Sequence, residues 1–284
     1  MIKGSLPGQL SQDIFLALSA AGLAGEAIMK IYKGEFSSSL KKDKQPVTEA
    51  DFESDKIIHQ VLAESNHPIV SEETYNSEVK IGKGKTWIVD PLDGTTDFIN
   101  KTGEFSIMIA LVENLRSTIG VVYQPAQDLF YAAEDGKGTF RKKGNGAWEE
   151  ISVGSNVALN KAKVIMSNFH LSEEEKFFIS SLGINSYRKK GSAGLKICDI
   201  AAGEADLYFT TTDKMKQWDT AAGDCLIREA GGKITDMSGQ DIIYNLSGLK
   251  NGLLVSNGKI HDEIIKKYKD FFDNLSFNKN KNHS

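Results

Sequence analysis

The stretch Trp87-Ile-Val-Asp-Pro-Leu-Asp-Gly-Thr-Thr-Asp-Phe98 limits the folds open to this chain more than any other. Trp87 to Val89 reads as a short buried strand, and Asp90 stands at its end. Pro91 holds Asp90 extended and cannot continue a hydrogen-bonded ladder. Gly94 permits a sharp turn after Asp93, and Thr95-Thr96-Asp97 can cap a short helix. Two carboxylates thus meet at one strand end, beside N–H groups emerging from a helix start. Carboxylates suit hard divalent cations such as Mg²⁺, and a helix start suits a phosphate. Metal-assisted phosphoryl transfer to water needs both. An ordinary capped turn would use the same residues, so the rest of the chain has to decide.

A chain of 284 residues can bury a sizeable core as one large domain or two. Its 34 basic and 38 acidic side chains give a net charge of −4, which argues against a nucleic-acid polymer as partner. A small phosphorylated substrate stays compatible, because bound cations supply positive charge locally. Cys198 and Cys225 have no disulfide or metal-ligand spacing and read as core residues in a reducing compartment. There is no run of 18 apolar residues and no signal-peptide pattern, so the expectation is a cytoplasmic protein without a transmembrane segment.

In chain order, residues 11–32 carry apolar positions at helical spacing, with Ser11 as N-cap. Residues 34–44 are polar and basic and read as a mobile loop, close enough to the next motif to cover a substrate. Thr48 and Asp51 form a capping-box pattern for a helix whose apolar face is Phe52, Ile57, Ile58, Val61 and Leu62. A strand at 68–71 then delivers Glu72-Glu73, of which one carboxylate should face away from the other. Strand-like runs from Phe105 to Arg141, separated by Asp135-Gly136 and Asn145-Gly146 turns, predict an antiparallel meander. Strand–helix alternation follows, with a subdomain boundary at 152–161 dividing 1–155 from 156–284. In the second part, Ser172 caps a helix, Gly191-Ser192 opens another with a second anion site, and Asp219 begins a third. The segment from Phe277 onward reads as frayed.

Asp51, Glu72, Asp90, Asp93 and Asp219 each have a plain structural explanation as caps or solvated turns. Together, Ser71-Glu-Glu73, Asp90-Pro-Leu-Asp-Gly-Thr95, Trp218-Asp-Thr-Ala-Ala-Gly223 and Ala230-Gly-Gly232 resemble the lithium-sensitive, magnesium-dependent phosphomonoesterase superfamily of inositol monophosphatases, fructose-1,6-bisphosphatases and 3′(2′),5′-bisphosphate nucleotidases. Phe98-Ile-Asn-Lys-Thr-Gly-Glu-Phe105, Ser167-Asn-Phe-His170 and Gly191-Ser-Ala-Gly-Leu-Lys-Ile-Cys198 are similar to segments of the bacterial nucleotidase branch linked to sulfate assimilation. Two positions depart from that branch: no arginine follows Leu207-Tyr208, and Thr96-Asp97 stands where the branch has Lys-Glu.

The resemblance implies an α/β (α+β) fold, a layered αβαβα sandwich. It implies two or three Mg²⁺ ions held by Glu72, Asp90, Asp93, Asp219 and the Leu92 carbonyl, with Asp51 and Thr95 activating water. Substrate would touch Glu72, Leu92, Asp93, Gly94, Thr95 and Asp219. A second phosphate would be gripped by His170, Gly191, Ser192 and Lys196. The expected reaction removes the 3′-phosphate of adenosine 3′,5′-bisphosphate to give AMP, and extends to the 5′-phosphosulfate analogue. An inositol monophosphatase is the alternative enzyme, and a phosphate-ligand sensor or scaffold the alternative outside catalysis. The expected assembly is a monomer or homodimer.

Overall fold

In the computed structural model, residues 10–41, 45–76 and 80–281 are described. Helix α1 (Gln12–Lys33) buries Ile14, Ala17, Leu18, Ala21, Ala24, Gly25 and Ile28, a stripe at three- and four-residue spacing. Small residues on that stripe bring it close to the sheet beneath: a Cβ on Gly25 would lie 2.3 Å from the Tyr123 ring. By length and composition α1 would also suit a membrane crossing, but its apolar stripe is spent on this packing. Ser11 occupies the N-cap position, yet its side chain makes no capping bond.

Part of the expected loop at 34–44 is a strand. β1 (Ser38–Leu40) pairs antiparallel with β2 (Pro46–Thr48), a hairpin that leads into α2 (Glu49–Leu62). Lys42 and Lys44 of that loop lie outside the described residues. Thr48 and Asp51 form the expected capping box. The buried face of α2 is Ala50, Ser54, Ile58 and Leu62, whereas Phe52 is 55% exposed. At 100° per residue Phe52 stands about 200° from Ala50 and from Ser54, so it cannot share their face.

β3 (Ile69–Ser71) lies parallel to β4 (Thr86–Asp93), and α3 (Thr95–Ile99) follows. The predicted meander is β5 (Ser106–Glu113), β6 (Arg116–Gln124), β7 (Leu129–Glu134), β8 (Thr139–Lys143) and β9 (Glu149–Ile151). Together β3 to β9 form a seven-stranded sheet in sequence order.

The alternating part of the chain is β10 (Val164–Ser167), α4 (Glu173–Ser181), β11 (Tyr187–Lys190), α5 (Ala193–Ala201), β12 (Leu207–Thr210), α6 (Trp218–Glu229), β13 (Lys233–Thr235), β14 (Leu253–Ser256) and α7 (His261–Lys281). Its five strands run in the order β11-β10-β12-β14-β13. Ser172 completes a capping box for α4 as expected, and α7 continues to Lys281 where fraying was expected.

Four apolar clusters stack these elements into five layers. α1 and α2 cover one face of the seven-stranded sheet through Ile14, Leu18, Ile58, Trp87, Ile109 and Val121. α5 and α6 cover the other face, with Leu195, Cys198, Ala222 and Leu226 against Ile88, Met108, Ala110 and Val122. Ile197, Ile200 and Ile227 on the far side of those helices meet Ile165, Tyr208 and Val255 of the five-stranded sheet. α4 and α7 close the stack through Phe178, Ile179 and Ile264 on Leu207, Phe209 and Leu254. The central helices thus bury apolar side chains on two opposite faces, and each fully buried Leu or Ile there contributes about 1.5–3 kcal/mol. A Cβ on Gly223 would sit 2.6 Å from Ile197 Cδ1, so α5 and α6 touch through the small face the sequence shows. The order is helix, sheet, helix, sheet, helix, the expected αβαβα sandwich.

Candidate active site

The site forms where β3 and β4 end side by side. Their parallel register pairs Ser71 with Val89, so Glu72 and Asp90 emerge level with each other. The Glu72 N–H donates to Val89 O at 3.1 Å and fixes that alignment. After Asp90 the ladder to β5 shifts register and resumes at Asp93, opposite Ser106. Pro91 and Leu92 fill the irregularity, where Pro91 O accepts from Ser54 Oγ at 2.7 Å. The strand thus runs three residues past the end expected at Asp90. Gly94 then turns with φ +91°, and α3 begins at Thr95. Gly94, rather than a threonine or Asp97, holds the N-cap position of α3, without a side-chain cap. A side chain there would press on Glu104 O at 3.1 Å and Ser192 N at 3.3 Å.

Asp219 arrives from the first turn of α6, its carboxylate accepting from Lys216 N at 2.8 Å. Glu72, Asp90 and Asp219 each place an oxygen within 4.8 Å of the others. Burial, then Glu72, Asp93 and Asp219, push the Asp90 carboxyl well above its ordinary value. Burial, Glu72 and Asp93 do the same to Asp219. Hard oxygen donors crowded until they raise one another's pKa are a donor set that a divalent cation fits.

Asp51 divides its two oxygens. Oδ2 accepts from Thr48 N at 2.7 Å and Thr48 Oγ1 at 2.8 Å, which is the capping role. Oδ1 faces Thr95 Oγ1 at 3.2 Å, and that hydroxyl is also 3.2 Å from Leu92 O. Burial raises the Asp51 carboxyl, with Thr48 and Lys41 pulling the other way. The cap and the pairing with Thr95 therefore coexist on one residue.

Three features were not foreseen. Lys41, in the hairpin between β1 and β2, donates to Glu72 at 2.8 Å and to Glu73 at 2.6 Å. The two adjacent carboxylates therefore converge on one ammonium instead of pointing apart. The lysines of 33–44 were visible, but nothing local says which one folds back. Second, Asn168 Nδ2 bridges Asp97 at 2.8 Å and Glu104 at 2.7 Å, tying the end of β10 to α3.

Third, the start of α5 is already occupied by acidic side chains. Asp93 Oδ2 accepts from Gly194 N at 2.9 Å and from Ser192 Oγ at 2.5 Å. Glu104 Oε2 accepts from Gly191 N at 2.9 Å, and Ser192 Oγ accepts from Leu195 N at 3.0 Å. These N–H groups were expected to grip a second phosphate, but the same dipole attracts the chain's own carboxylates first. Lys196 is 3% exposed and donates inward to Ser192 O at 2.6 Å. His170 stands exposed on the loop after β10, its backbone N–H on Ser167 Oγ.

Residues 9–271 match the Inositol monophosphatase family. The 3′(2′),5′-bisphosphate nucleotidase CysQ of Buchnera aphidicola is 36% identical over 234 residues, 79% of this chain and 84% of that protein. The Nus factor SuhB of Pasteurella multocida is 33% identical over 264 residues, 89% of this chain and 94% of its own. In three dimensions the Thermotoga maritima IMPase superposes with a TM-score of 0.79 at 30% identity, covering 93% of this chain and 100% of that one. With strand-end carboxylates, layered fold and sequence in agreement, this chain belongs to the inositol monophosphatase family.

Proposed function

We propose that the chain is a divalent-metal-dependent phosphomonoesterase that takes the 3′-phosphate from adenosine 3′,5′-bisphosphate, leaving AMP and phosphate. The convergence of Glu72, Asp90 and Asp219 within 4.8 Å, beside the Asp51–Thr95 pair, carries this reading. Glu72, Asp90, Asp93, Asp219 and the Leu92 carbonyl would hold two or three Mg²⁺ ions. Bound there, the metal would acidify water and balance charge on the phosphoryl oxygens.

The chain's own groups do the rest. Thr95 Oγ1 and Asp51 Oδ1 orient the attacking water, and the Asp51 carboxylate receives its proton. The Gly94 and Thr95 N–H groups receive phosphoryl oxygens. Lys41 contacts both Glu72 and Glu73, but of the two only Glu72 groups with Asp90 and Asp219. The similarity to CysQ supports a nucleoside bisphosphate as substrate, and the 5′-phosphosulfate analogue belongs to the same class.

One observation favours a second reading, inositol monophosphatase: the N–H groups opening α5 already serve Asp93 and Glu104, which leaves a second phosphate fewer donors. Phosphate release from adenosine 3′,5′-bisphosphate, inositol 1-phosphate and fructose 1,6-bisphosphate, with Mg²⁺ and with EDTA, separates the readings. The nucleotide should be hydrolysed fastest and only with metal, and Li⁺ but not Na⁺ should inhibit at millimolar levels. Faster release from inositol 1-phosphate would replace the nucleotidase reading. No release from any substrate would point to a sensor or scaffold.

A further inference from the structure

Asn168 stands just after β10, where α3 and the entries to β5 and α5 come together. Its Nδ2 donates to Asp97 Oδ1 at 2.8 Å and to Glu104 Oε2 at 2.7 Å. An amide nitrogen carries two hydrogens, so each carboxylate takes one. Glu104 Oε2 also accepts from Gly191 N at 2.9 Å, and Asp97 Oδ1 from Thr102 Oγ1 at 2.9 Å. The turn into α5 is pressed onto this group, since a Cβ on Gly191 would lie 2.3 Å from Asp97 Cγ and 2.5 Å from Glu104 O. One side chain thus sets where both carboxylates stand against the start of α5.

Negative charge at that place works against an anionic ligand. Asp97 is 4% exposed, and among the described residues neither carboxylate has an ion pair; their partners are neutral donors. Burial raises the Asp97 carboxyl most, Asn168 and Thr102 pull it down, and Glu104 raises it again. Both carboxylates also act on Lys196 in the first turn of α5. Burial brings its pKa down to about 8, and Asp93, then Asp97 and Glu104, pull it up. A phosphate coming to this end of α5 meets the same two charges as repulsion, which falls with distance. Carboxylates tied back onto donors therefore oppose it less than free ones. Asn168 is the donor that the two share.

We propose that Asn168 is a positioning residue that sets the tolerance for a second phosphate: its two amide hydrogens hold Asp97 and Glu104 back against the end of β10, turning their charge from an anion at the start of α5. The proposal deepens the nucleotidase reading above and rests on it, with the second phosphate expected at the start of α5, where Lys196 stands.

The test is steady-state kinetics at saturating Mg²⁺ on two nucleotides, adenosine 3′,5′-bisphosphate and adenosine 3′-monophosphate, which differ only in the second phosphate. Where turnover of the monophosphate is slow, its competitive inhibition constant takes the place of KM. Asn168→Leu keeps the size of the side chain and removes both donors. It should raise KM for the bisphosphate by about tenfold, the scale of one charge-assisted hydrogen bond, and leave the monophosphate and both kcat values within about twofold. Asn168→Asp, of the same shape but a third negative charge, should raise KM for the bisphosphate further still. In a Glu104→Gln background Asn168→Leu should cost about threefold or less, because one of the charges it restrains is gone. Equal losses on the two nucleotides would make Asn168 a structural tie and overturn the proposal, as would a loss in kcat alone or a full tenfold effect beside Glu104→Gln. If Asn168→Leu fails to fold, an Asn168→Asp variant that treats the two nucleotides as wild type does overturns it alone. A wild type that binds the monophosphate as tightly as the bisphosphate would overturn the nucleotidase reading and the proposal together, whereas a wild type that prefers the bisphosphate, with unaltered variants, overturns only the proposal.

Discussion

Two sets of buried aspartates in this molecule have opposite company. Asp224 accepts from Arg228 Nε at 2.5 Å and Tyr244 Oη at 2.8 Å, and Asp199 from Arg188 at 2.6 Å and Lys190 at 2.7 Å. Asp90 is equally buried, yet its hydrogen bond is one backbone N–H at 3.0 Å and its near charges are Glu72, Asp93 and Asp219. A buried carboxylate with an arginine or lysine is structural, since its charge is answered inside the fold. A buried carboxylate among carboxylates is answered only by something from outside. That difference marks a binding site better than burial or acidity alone.

The sharpest way to break the contrast is to neutralise one member of each set. Asp90→Asn should fold and lose about a thousandfold in activity or more, near 4 kcal/mol of transition-state stabilisation. Because it also relieves repulsion, its Tm in EDTA should be no lower than wild type in EDTA. Activity within tenfold of wild type at saturating Mg²⁺ would break the assignment.

Asp224→Ala should do the reverse. It strands Arg228 and Tyr244 and should cost about 3–5 kcal/mol by urea unfolding, while kcat at 20 °C stays within about threefold. If Asp224→Ala lost activity and kept its stability, the distinction between the two sets would fail.

The parts of this pattern that were readable in the sequence are those written in local chemistry. The strand that carries Asp90, the Gly94 turn, the meander and the capping boxes at Thr48 and Ser172 need only neighbours within a few residues, although that strand runs on to Asp93. β11 was missed because Tyr-Arg-Lys-Lys lacks an apolar run, and it becomes a strand only by lying parallel to β10. Lys41 on Glu72 and Asp93 on the start of α5 join positions 31 and about 100 residues apart. Helix-start N–H groups announce a taste for anions, but not that Asp93 and Glu104 will arrive before any phosphate.

His261 adds a third environment, a buried titratable group with neutral partners. Its ring nitrogens lie 2.9 Å from Thr235 Oγ1 and 2.9 Å from Ser256 Oγ, and burial, then Lys233, lower its pKa to about 4. Between about pH 4 and 6.5 the unfolded chain binds a proton here that the folded chain refuses, so this contribution is present above pH 6.5 and lost as pH falls to 4. The loss amounts to about 3 kcal/mol at most, at about 1.4 kcal/mol per pH unit. His261→Gln cannot titrate, so the stability gap between wild type and variant should shift against wild type from pH 7 to pH 4. A gap independent of pH would place a charged imidazole in the fold.

The smallest expected effect concerns Lys41, a cation that touches the carboxylate set. Lys41 is 22% exposed and bridges Glu72 and Glu73; burial alone would lower its pKa, but the two carboxylates outweigh it and the pKa is raised. Lys85, on Asp13 at 2.8 Å and 37% exposed, is an ordinary ion pair of similar length elsewhere on the surface. The two lysines differ in what they leave behind. Lys85→Met leaves Asp13 with His67 still 3.6 Å from its carboxylate, a loss worth about 0–1 kcal/mol. Lys41→Met leaves Glu72 and Glu73 facing each other, with Asp90, Asp93 and Asp219 close by and no metal to separate them. In EDTA, Lys41→Met should therefore lower Tm by about 2–4 °C, roughly 1 kcal/mol for a chain of this size, and Lys85→Met by clearly less. Equal losses in the two variants would mean that the pocket's charge is already screened by solvent. Asp90 and its neighbours would then lose the special standing the comparison gives them.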